Sequence, residues 1–349
     1  MNDKKTIAIL FGGCSPEYNV SLQSAHAVIS HIDASAYEII LIGITKEGDW
    51  YLYEGALDNI SSDVWHKDCC TSIAISPNRT DAVILKLLEN HVEKIHIDFV
   101  LPILHGKNGE DGTVQGLFEL AGIPVIGCGI LSSALCMDKD RAHKLAHTAG
   151  VSVPRAYVLT NEAEISAAYS FAESIGYPLF VKPVKAGSSF GITKVNSAVE
   201  LPSAIHTAFS YDDSVIIEQN IAGIEVGCAI VGNNMLTVGE VDEIELSEGF
   251  FDFTEKYTLK TSAIHVPARI DENTTVRIKE TAKAIYRALD CRDFARVDMF
   301  LTESGEIFFN EVNTIPGFTS HSRFPNMLKA TGMTFSEIIN AILEQAVSK

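Results

Sequence analysis

Two apolar segments near the C-terminus, FARVDMFL (294–301) and EIFFNEVN (306–313), each carry polar residues two apart. In a strand, residues i and i+2 share a face. Arg296 and Asp298 therefore point one way, and so do Glu311 and Asn313. Paired as antiparallel neighbours, the strands gather two carboxylates, a carboxamide oxygen and a guanidinium on one face. Val297, Met299, Phe308 and Phe309 make the flanks apolar. Charges set among such neighbours need partners, so this sheet has one face in a core and one in a polar cleft. Hard oxygen donors in this array suit Mg²⁺ bridging nucleotide phosphates. The plainer alternative is a solvated sheet face with an Asp–Arg pair.

The chain has 349 residues, enough for two or three domains. Its 27 basic against 45 acidic residues give a net charge of −18, which excludes a general nucleic-acid binder. Anionic ligands remain open, because a local site can be basic inside an acidic protein. No apolar stretch is long enough to span a membrane, and the N-terminus MNDKKTIAILFGG does not read as a secretory signal. Seven scattered cysteines without a CxxC read as free thiols in a cytoplasmic protein.

KKTIAILFGG, YEIILIGIT and HIDFVLPILHG read as buried strands, with helical spacing in EYNVSLQSAHAVISHI and GTVQGLFELAG and a short strand at IPVIGC. Between the second and third strands lies a stretch with little clear pattern. This alternation predicts a Rossmann-like parallel α/β sheet over 1–128. SALCMDKDRAHKLAHTAG reads as one helix stopped at Gly150. RAYVL, PLFVKPV, GITKV and SVIIEQNI follow as short strands of a central lobe over 129–220. The remainder, 221–349, alternates strands with one crossing helix and ends in TFSEIINAILEQAV. The predicted class is thus α/β with α+β lobes around a cleft.

Several shorter stretches bear chemistry. KAGSSFG, with Gly187, Ser188, Ser189 and Gly191, is a hairpin whose backbone N–H groups can hold phosphate oxygens; it equally reads as a turn. It is not a Walker loop, since GxxxxGK[ST] is absent. Lys182 precedes it and can add a point charge. Glu218 ends one strand and Glu225 starts the next, where a carboxylate can accept from ribose hydroxyls. Glu17 sits after a glycine turn at a helix start. It either stabilises the helix or binds an ammonium beside the anion-attracting helix end. His105, Glu110 and Asp111 occupy a polar loop after the third strand, where parallel sheets take ligands, though His105 is as easily structural. SEGFFDFTEKYTLK (247–260) suits a lid.

These pieces in this order resemble the D-alanine–D-alanine ligases of the ATP-grasp superfamily. FGGCSPEYNVSLQSA, LHGKNGEDGTVQGLFELAGIPVIG, SALCMDKD, FVKPVKAGSSFGI, EKY, ARVDMF and NEVNTIPGFTSHS carry the resemblance over nearly the whole chain. Within the family the chain is most similar to the VanG-type D-alanine–D-serine ligases of vancomycin resistance. The resemblance implies an ATP-grasp fold, ATP with two Mg²⁺ (or Mn²⁺), and a homodimer making peptidoglycan precursors.

It also implies roles for single residues. Glu17 would hold the ammonium of the first D-alanine, with His105 on the substrate side. Lys139 and Lys182 would contact ATP phosphates, with Ser188 and Ser189 in the covering loop. Glu218 would hold the ribose, with Glu225 and Lys256 at the nucleotide. Asp298, Glu311 and Asn313 would bind the metal ions, and Arg296 would stabilise the oxyanion. Ser188 and Tyr257 would link Glu17 to the lid. Ser322, Arg323, Asp242 and Phe251 would line the acceptor pocket, with Asp242 orienting Arg323. The first amino acid's carboxylate would attack the γ-phosphorus to give an acyl phosphate, which the second amine attacks. Arg323 favours a hydroxyl-bearing acceptor, and the EKY pair favours an amine over D-lactate. The expectation is D-Ala-D-Ser. The alternatives are D-Ala-D-Ala, then D-Ala–D-lactate or an inactive nucleotide-binding relative.

Overall fold

The computed structural model describes residues 4–161, 164–187, 190–246 and 262–347. Three sheets follow one another along the chain. The first joins β1 (Lys5–Gly12), β2 (Tyr37–Ile44), β3 (Trp50–Tyr53), β4 (Cys70–Ile75), β5 (Val83–Leu87), β6 (Val92–His96) and β7 (Phe99–Pro102) in the order β6-β5-β4-β3-β2-β1-β7. β1 runs parallel to β2 and β7, and its last six residues are buried, as a strand covered on both faces requires. The expected parallel sheet is therefore only half of what forms. β3 to β6 add an antiparallel meander made from the stretch that showed no clear pattern. IPVIGC contributes a single parallel bridge, Val100 to Val125.

α1 (Tyr18–Ile29), α2 (Asp58–Ser61) and α3 (Thr113–Ala121) accompany this sheet. The long helix expected from SALCMDKDRAHKLAHTAG is two, α4 (Ile130–Met137) and α5 (Lys139–Thr148). The break is Asp138, whose backbone is extended at φ −90° and ψ 98°. Its carboxylate accepts from the backbone N–H of Arg141 at 3.0 Å, capping the second helix. Lys139 thereby opens a helix instead of lying within one.

The second sheet, all antiparallel, has the order β10-β9-β11-β8, from β8 (Ala156–Leu159), β9 (Leu179–Pro183), β10 (Thr193–Val195) and β11 (Val215–Gln219). α6 (Ile165–Ile175) and α7 (Leu201–Phe209) pack on it, closing a core around Leu179, Val181, Ile205 and Ile217.

The third sheet contains β12 (Gly223–Gly232), β13 (Leu236–Val238), β14 (Asp242–Leu246), β15 (Ser262–His265), β16 (Phe294–Thr302) and β17 (Ile307–Asn313). Its main path is β15-β14-β12-β16-β17, with β13 also on β12. The segment LTVGEVDEIEL (236–246) forms two strands, β13 and β14. Between them the Glu240 N–H leaves the sheet to bond Met327 O at 2.9 Å. α8 (Glu272–Ala288) covers one face together with α5, while α9 (Arg323–Lys329) and α10 (Phe335–Val347) follow β17.

One apolar cluster runs from Ile7, Phe11 and Val28 of the first unit to Val231, Phe294, Phe318 and Phe324 of the last. Phe294, Phe318 and Phe324 meet pairwise with ring centroids 5.3–6.0 Å apart. Continuous burial of this kind fixes the first sheet against the third, and the cleft lies where they meet. Among the described residues no helix is long and apolar enough to cross a membrane.

Candidate active site

A cavity of about 460 Å³ opens between the three sheets. Glu17, His105, Lys139, Arg296, Glu311, Asn313, Ser322 and Arg323 line it, all eight of them singled out from the sequence. Lys182, Glu218, Glu225, Asp242 and Asp298 stand behind this lining, each bonded to a neighbour described below. Ser188, Ser189, Phe251, Lys256 and Tyr257 lie outside the described residues.

At one end, Glu17 is the residue preceding α1, yet its side chain makes no capping bond to that helix. It is buried and lies against the loop after β7. Gly106, at φ +71°, makes this approach possible: a Cβ there would stand 2.6 Å from the Glu17 Oε2.

The same loop grips the segment after β17. His105 Nδ1 donates to Ile315 O at 2.9 Å, while Glu110 accepts from the Ile315 N–H at 2.9 Å and from Gly106 N–H at 2.9 Å. Burial pushes His105 below the ordinary histidine range, outweighing the pull of Glu17. A neutral ring with Nδ1–H has an accepting Nε2, which takes the Ser24 hydroxyl at 3.3 Å. Both ring nitrogens are thus used inside the protein. Burial and then the Glu17 charge push Glu110 up to about 8. Its place on the Ile315 backbone was not legible, because Ile315 is 205 residues away.

The polar strand face forms as the spacing predicts. Across β16 and β17, Arg296 faces Asn313 and Asp298 faces Glu311. The register then skips Asn310, a bulge of the kind found beside functional sites. Arg296 Nε and Nη2 hold Asp298 at 2.7–3.1 Å, and Asn313 Nδ2 donates to it at 2.9 Å.

Arg323, opening α9, is more enclosed than a pocket wall requires. Its Nε and Nη2 make a two-pronged bond to Asp242 at 2.6 and 2.8 Å. Its Nη1 reaches Glu225 at 2.8 Å and Asp298 at 3.4 Å. Burial opposes this guanidinium, but Asp242, then Asp298, hold its pKa well above the ordinary value. Gly227 of β12 admits the convergence. A Cβ there would sit 2.6 Å from Arg323 Nη2, 2.8 Å from Asp298 and 2.9 Å from Asp242. Ser322 spends its hydroxyl on Thr319, taking its backbone N–H at 3.0 Å and its side chain at 2.8 Å.

At the other end, Lys139 Nζ donates to Ala186 O at 2.8 Å, just before the glycine–serine hairpin. Lys182 Nζ donates to Glu218 Oε2 at 2.5 Å. Burial alone would raise Glu218, but Lys182, His143 and Lys139 hold it below the usual carboxylate range. Glu218 Oε1 is buried and has no hydrogen-bond partner among the described residues, an unmet acceptor of the kind a ligand hydroxyl would satisfy.

The donor set is right for a hard divalent cation: carboxylate oxygens of Asp298 and Glu311 and the carboxamide oxygen of Asn313, on adjacent strands. Among the described residues no three His, Cys, Asp or Glu side chains alone are grouped to hold a metal ion. Glu311 and Asn313 at the cavity, with the Asp298 carboxylate directly behind them, fit a cation that also draws ligands from a bound phosphate.

Residues 6–128 match the family described as D-ala D-ala ligase N-terminus, and residues 145–344 match D-ala D-ala ligase C-terminus. The chain belongs to the D-alanine–D-alanine ligase family. Its fold is that of the ATP-grasp ligases, and its class is an ATP-dependent ligase joining D-alanine to a second substrate. It is similar to the solved structure of the VanG D-Ala:D-Ser ligase from Enterococcus faecalis, with 55% identity, a TM-score of 0.92 and coverage of 99% of this chain and 100% of that one. The vancomycin C-type resistance protein VanC2 of Enterococcus casseliflavus is 46% identical over 97% of both chains. A D-alanine–D-alanine ligase of Caldicellulosiruptor bescii is 42% identical over 99% of this chain and 96% of its own. The family and the VanG-type resemblance expected from the sequence are borne out, while relatives of this ligase differ in the acceptor their names carry.

Proposed function

We propose that this ligase joins D-alanine to D-serine, with cleavage of ATP to ADP and phosphate, to supply D-Ala-D-Ser for peptidoglycan precursors. The observation carrying this reading is the buried Arg323–Asp242 pair at the wall of the cavity that Glu17 also lines. A pocket walled by a guanidinium that its carboxylate partners hold fixed offers an acceptor hydroxyl a polar contact that an acceptor lacking one does not make. The similarity to VanG supports D-serine, and that to vancomycin resistance proteins supports resistance as the physiological role. The 42% identical D-alanine–D-alanine ligase keeps D-Ala-D-Ala as the second reading.

In this mechanism Glu17 holds the ammonium of the first D-alanine beside the α1 N-terminus, whose N–H groups face its carboxylate. Lys139 and Lys182 orient the phosphates from the nucleotide side, with Ser188 and Ser189 over them. Glu218 accepts from the ribose, with Glu225 and Lys256 beside the nucleotide. Asp298, Glu311 and Asn313 would hold two Mg²⁺ or Mn²⁺ ions, which offset phosphate charge when bound. The first carboxylate attacks the γ-phosphorus, giving D-alanyl phosphate and ADP. The acceptor amine then attacks the acyl carbon, and phosphate leaves. Arg296 donates to the oxyanion of that second step. His105 and Glu110 fix the Ile315 segment, Ser322 and Phe251 bound the acceptor, and Ser188 and Tyr257 link Glu17 to the lid. The proposed organisation is a cytoplasmic homodimer with units at 1–128, 129–220 and 221–349. Incubation with ATP, D-alanine and equal D-serine and D-alanine, followed by mass analysis, tests it. D-Ala-D-Ser as the minor product rejects the reading.

A further inference from the structure

One turn outside the cleft grips both arms of the glycine–serine hairpin. β9 feeds the outgoing arm, and the returning arm runs into β10. The pairing of β9 with β11 continues one bond beyond β9, from Val184 N–H to Ser214 O at 3.0 Å. Lys185 N–H then donates to a side chain, Asp212 Oδ2, at 2.7 Å. Asp212 stands in the connection between α7 and β11, with its side chain 8% exposed. Its other oxygen takes the Asp213 N–H at 2.8 Å and faces Lys185 Nζ across 3.6 Å.

The returning arm meets the neighbouring residue of the same turn. Gly191, at φ +69°, lies close against Tyr211: a Cβ there would stand 2.7 Å from the Tyr211 ring and 2.8 Å from Pro183. The rings of Phe190 and Tyr211 have centroids 6.3 Å apart. From α5, Lys139 bonds the outgoing arm twice, through its N–H to Val184 O at 3.2 Å and through Nζ to Ala186 O at 2.8 Å. Ala186 and Gly187 line the cavity, whereas Tyr211 and Asp212 do not. A Cβ on Gly187 would stand 3.3 Å from Glu17 Oε2, so the hairpin reaches across to the first sheet's unit. A hairpin of small residues buries too little of its own to offset the entropy of ordering it. Its direction is therefore set by what grips its arms.

We propose that Asp212 and Tyr211 are positioning residues for the nucleotide phosphates: they fix the two arms of the hairpin and thereby aim its N–H groups, without touching the nucleotide. This rests on the reading of the hairpin as the phosphate cover. The competing role is local, with Asp212 serving only its own turn through Asp213 N–H and Tyr211 only covering surface.

A local role changes stability alone, whereas a positioning role costs affinity only for ligands that carry phosphates. The measurement is binding of ADP and of adenosine with Mg²⁺ present, by titration calorimetry on the full-length protein, with thermal unfolding of each variant alongside. Asp212→Ala leaves the Lys185 N–H without its charged acceptor and is expected to weaken ADP about tenfold, as for loss of one charge-assisted bond, with adenosine within about twofold of wild type. Tyr211→Ala is expected to act in the same direction, and Tyr211→Phe, which keeps the ring, to match wild type. Equal losses for ADP and adenosine, or unchanged ADP binding in both alanine variants, overturn the proposal. If Asp212→Ala does not fold, Tyr211→Ala decides, because that residue is 53% exposed; wild-type ADP affinity in it overturns the proposal. Gly187→Pro removes one hairpin N–H and separates the underlying reading. Selective loss of ADP there, with unaffected Asp212 and Tyr211 variants, rejects only their positioning role, whereas unchanged ADP binding there rejects the hairpin as the phosphate cover.

Discussion

Arg323→Leu removes the cation on which three carboxylates converge, and the structure says where the cost falls. Asp298 keeps Arg296 and Asn313 as partners. The Glu225 side chain is 15% exposed and can recover water. Asp242 is fully enclosed and loses both of its bonds to Arg323. Leaving one buried charge unpaired costs about 3–5 kcal/mol. The variant is therefore expected to unfold at clearly lower urea concentration, followed by circular dichroism. Arg323→Leu/Asp242→Leu removes the stranded charge as well. Replacing a whole buried pair by apolar groups is close to neutral, so the double variant is expected to recover most of the loss. The coupling between the two sites should then be on the order of 3 kcal/mol. A single variant costing under about 1 kcal/mol, or a double variant no more stable than the single, refutes the reasoning. Assayed well below its transition, Arg323→Leu is also expected to shift product toward D-Ala-D-Ala. An unchanged product ratio removes Arg323 as the hydroxyl-sensing group.

Three further outcomes are expected. Arg296→Ala should lower kcat roughly 10²-fold, as loss of an oxyanion donor does; a rise confined to the KM for ATP would make Arg296 a binding residue. Glu311→Gln should abolish ligation with an unchanged circular dichroism spectrum, and full activity at limiting Mg²⁺ would reject Glu311 as a metal ligand. Glu110 is raised from 4.5 to about 8, so the folded chain holds a proton there that the unfolded chain has released, and this part of the stability is lost as pH rises through that window. The thermal midpoint should fall more steeply with pH in the wild type than in Glu110→Gln, and parallel slopes would show that Glu110 does not carry the effect.

Much of the site was legible because it is built on strands with a strict period of two. Arg296, Asp298, Glu311 and Asn313 could be assigned to one face, and the registered pairs Arg296–Asn313 and Asp298–Glu311 follow from that. The antiparallel meander was not legible, since strands such as Val92–His96 are largely exposed and carry no apolar alternation. The helix break at Asp138 was hidden by helical spacing on both sides of it, and only the backbone bond to Arg141 reveals it. The partners of Arg323 lie 81 and 98 residues away on two other strands. Asp242 could be suggested by resemblance, but its two-pronged grip is a product of the tertiary fold.

The most direct test of D-serine as acceptor is product identification by mass spectrometry. Purified protein is supplied with ATP, Mg²⁺ and D-alanine, and with D-serine, D-alanine and D-lactate in equal amounts. The expected result is D-Ala-D-Ser as the main product, with ADP released in step. A main product of D-Ala-D-Ala, or of the D-alanyl-D-lactate ester, would contradict the assignment of the Arg323–Asp242 wall, and ADP release without any ligated product would contradict the ligase reading itself.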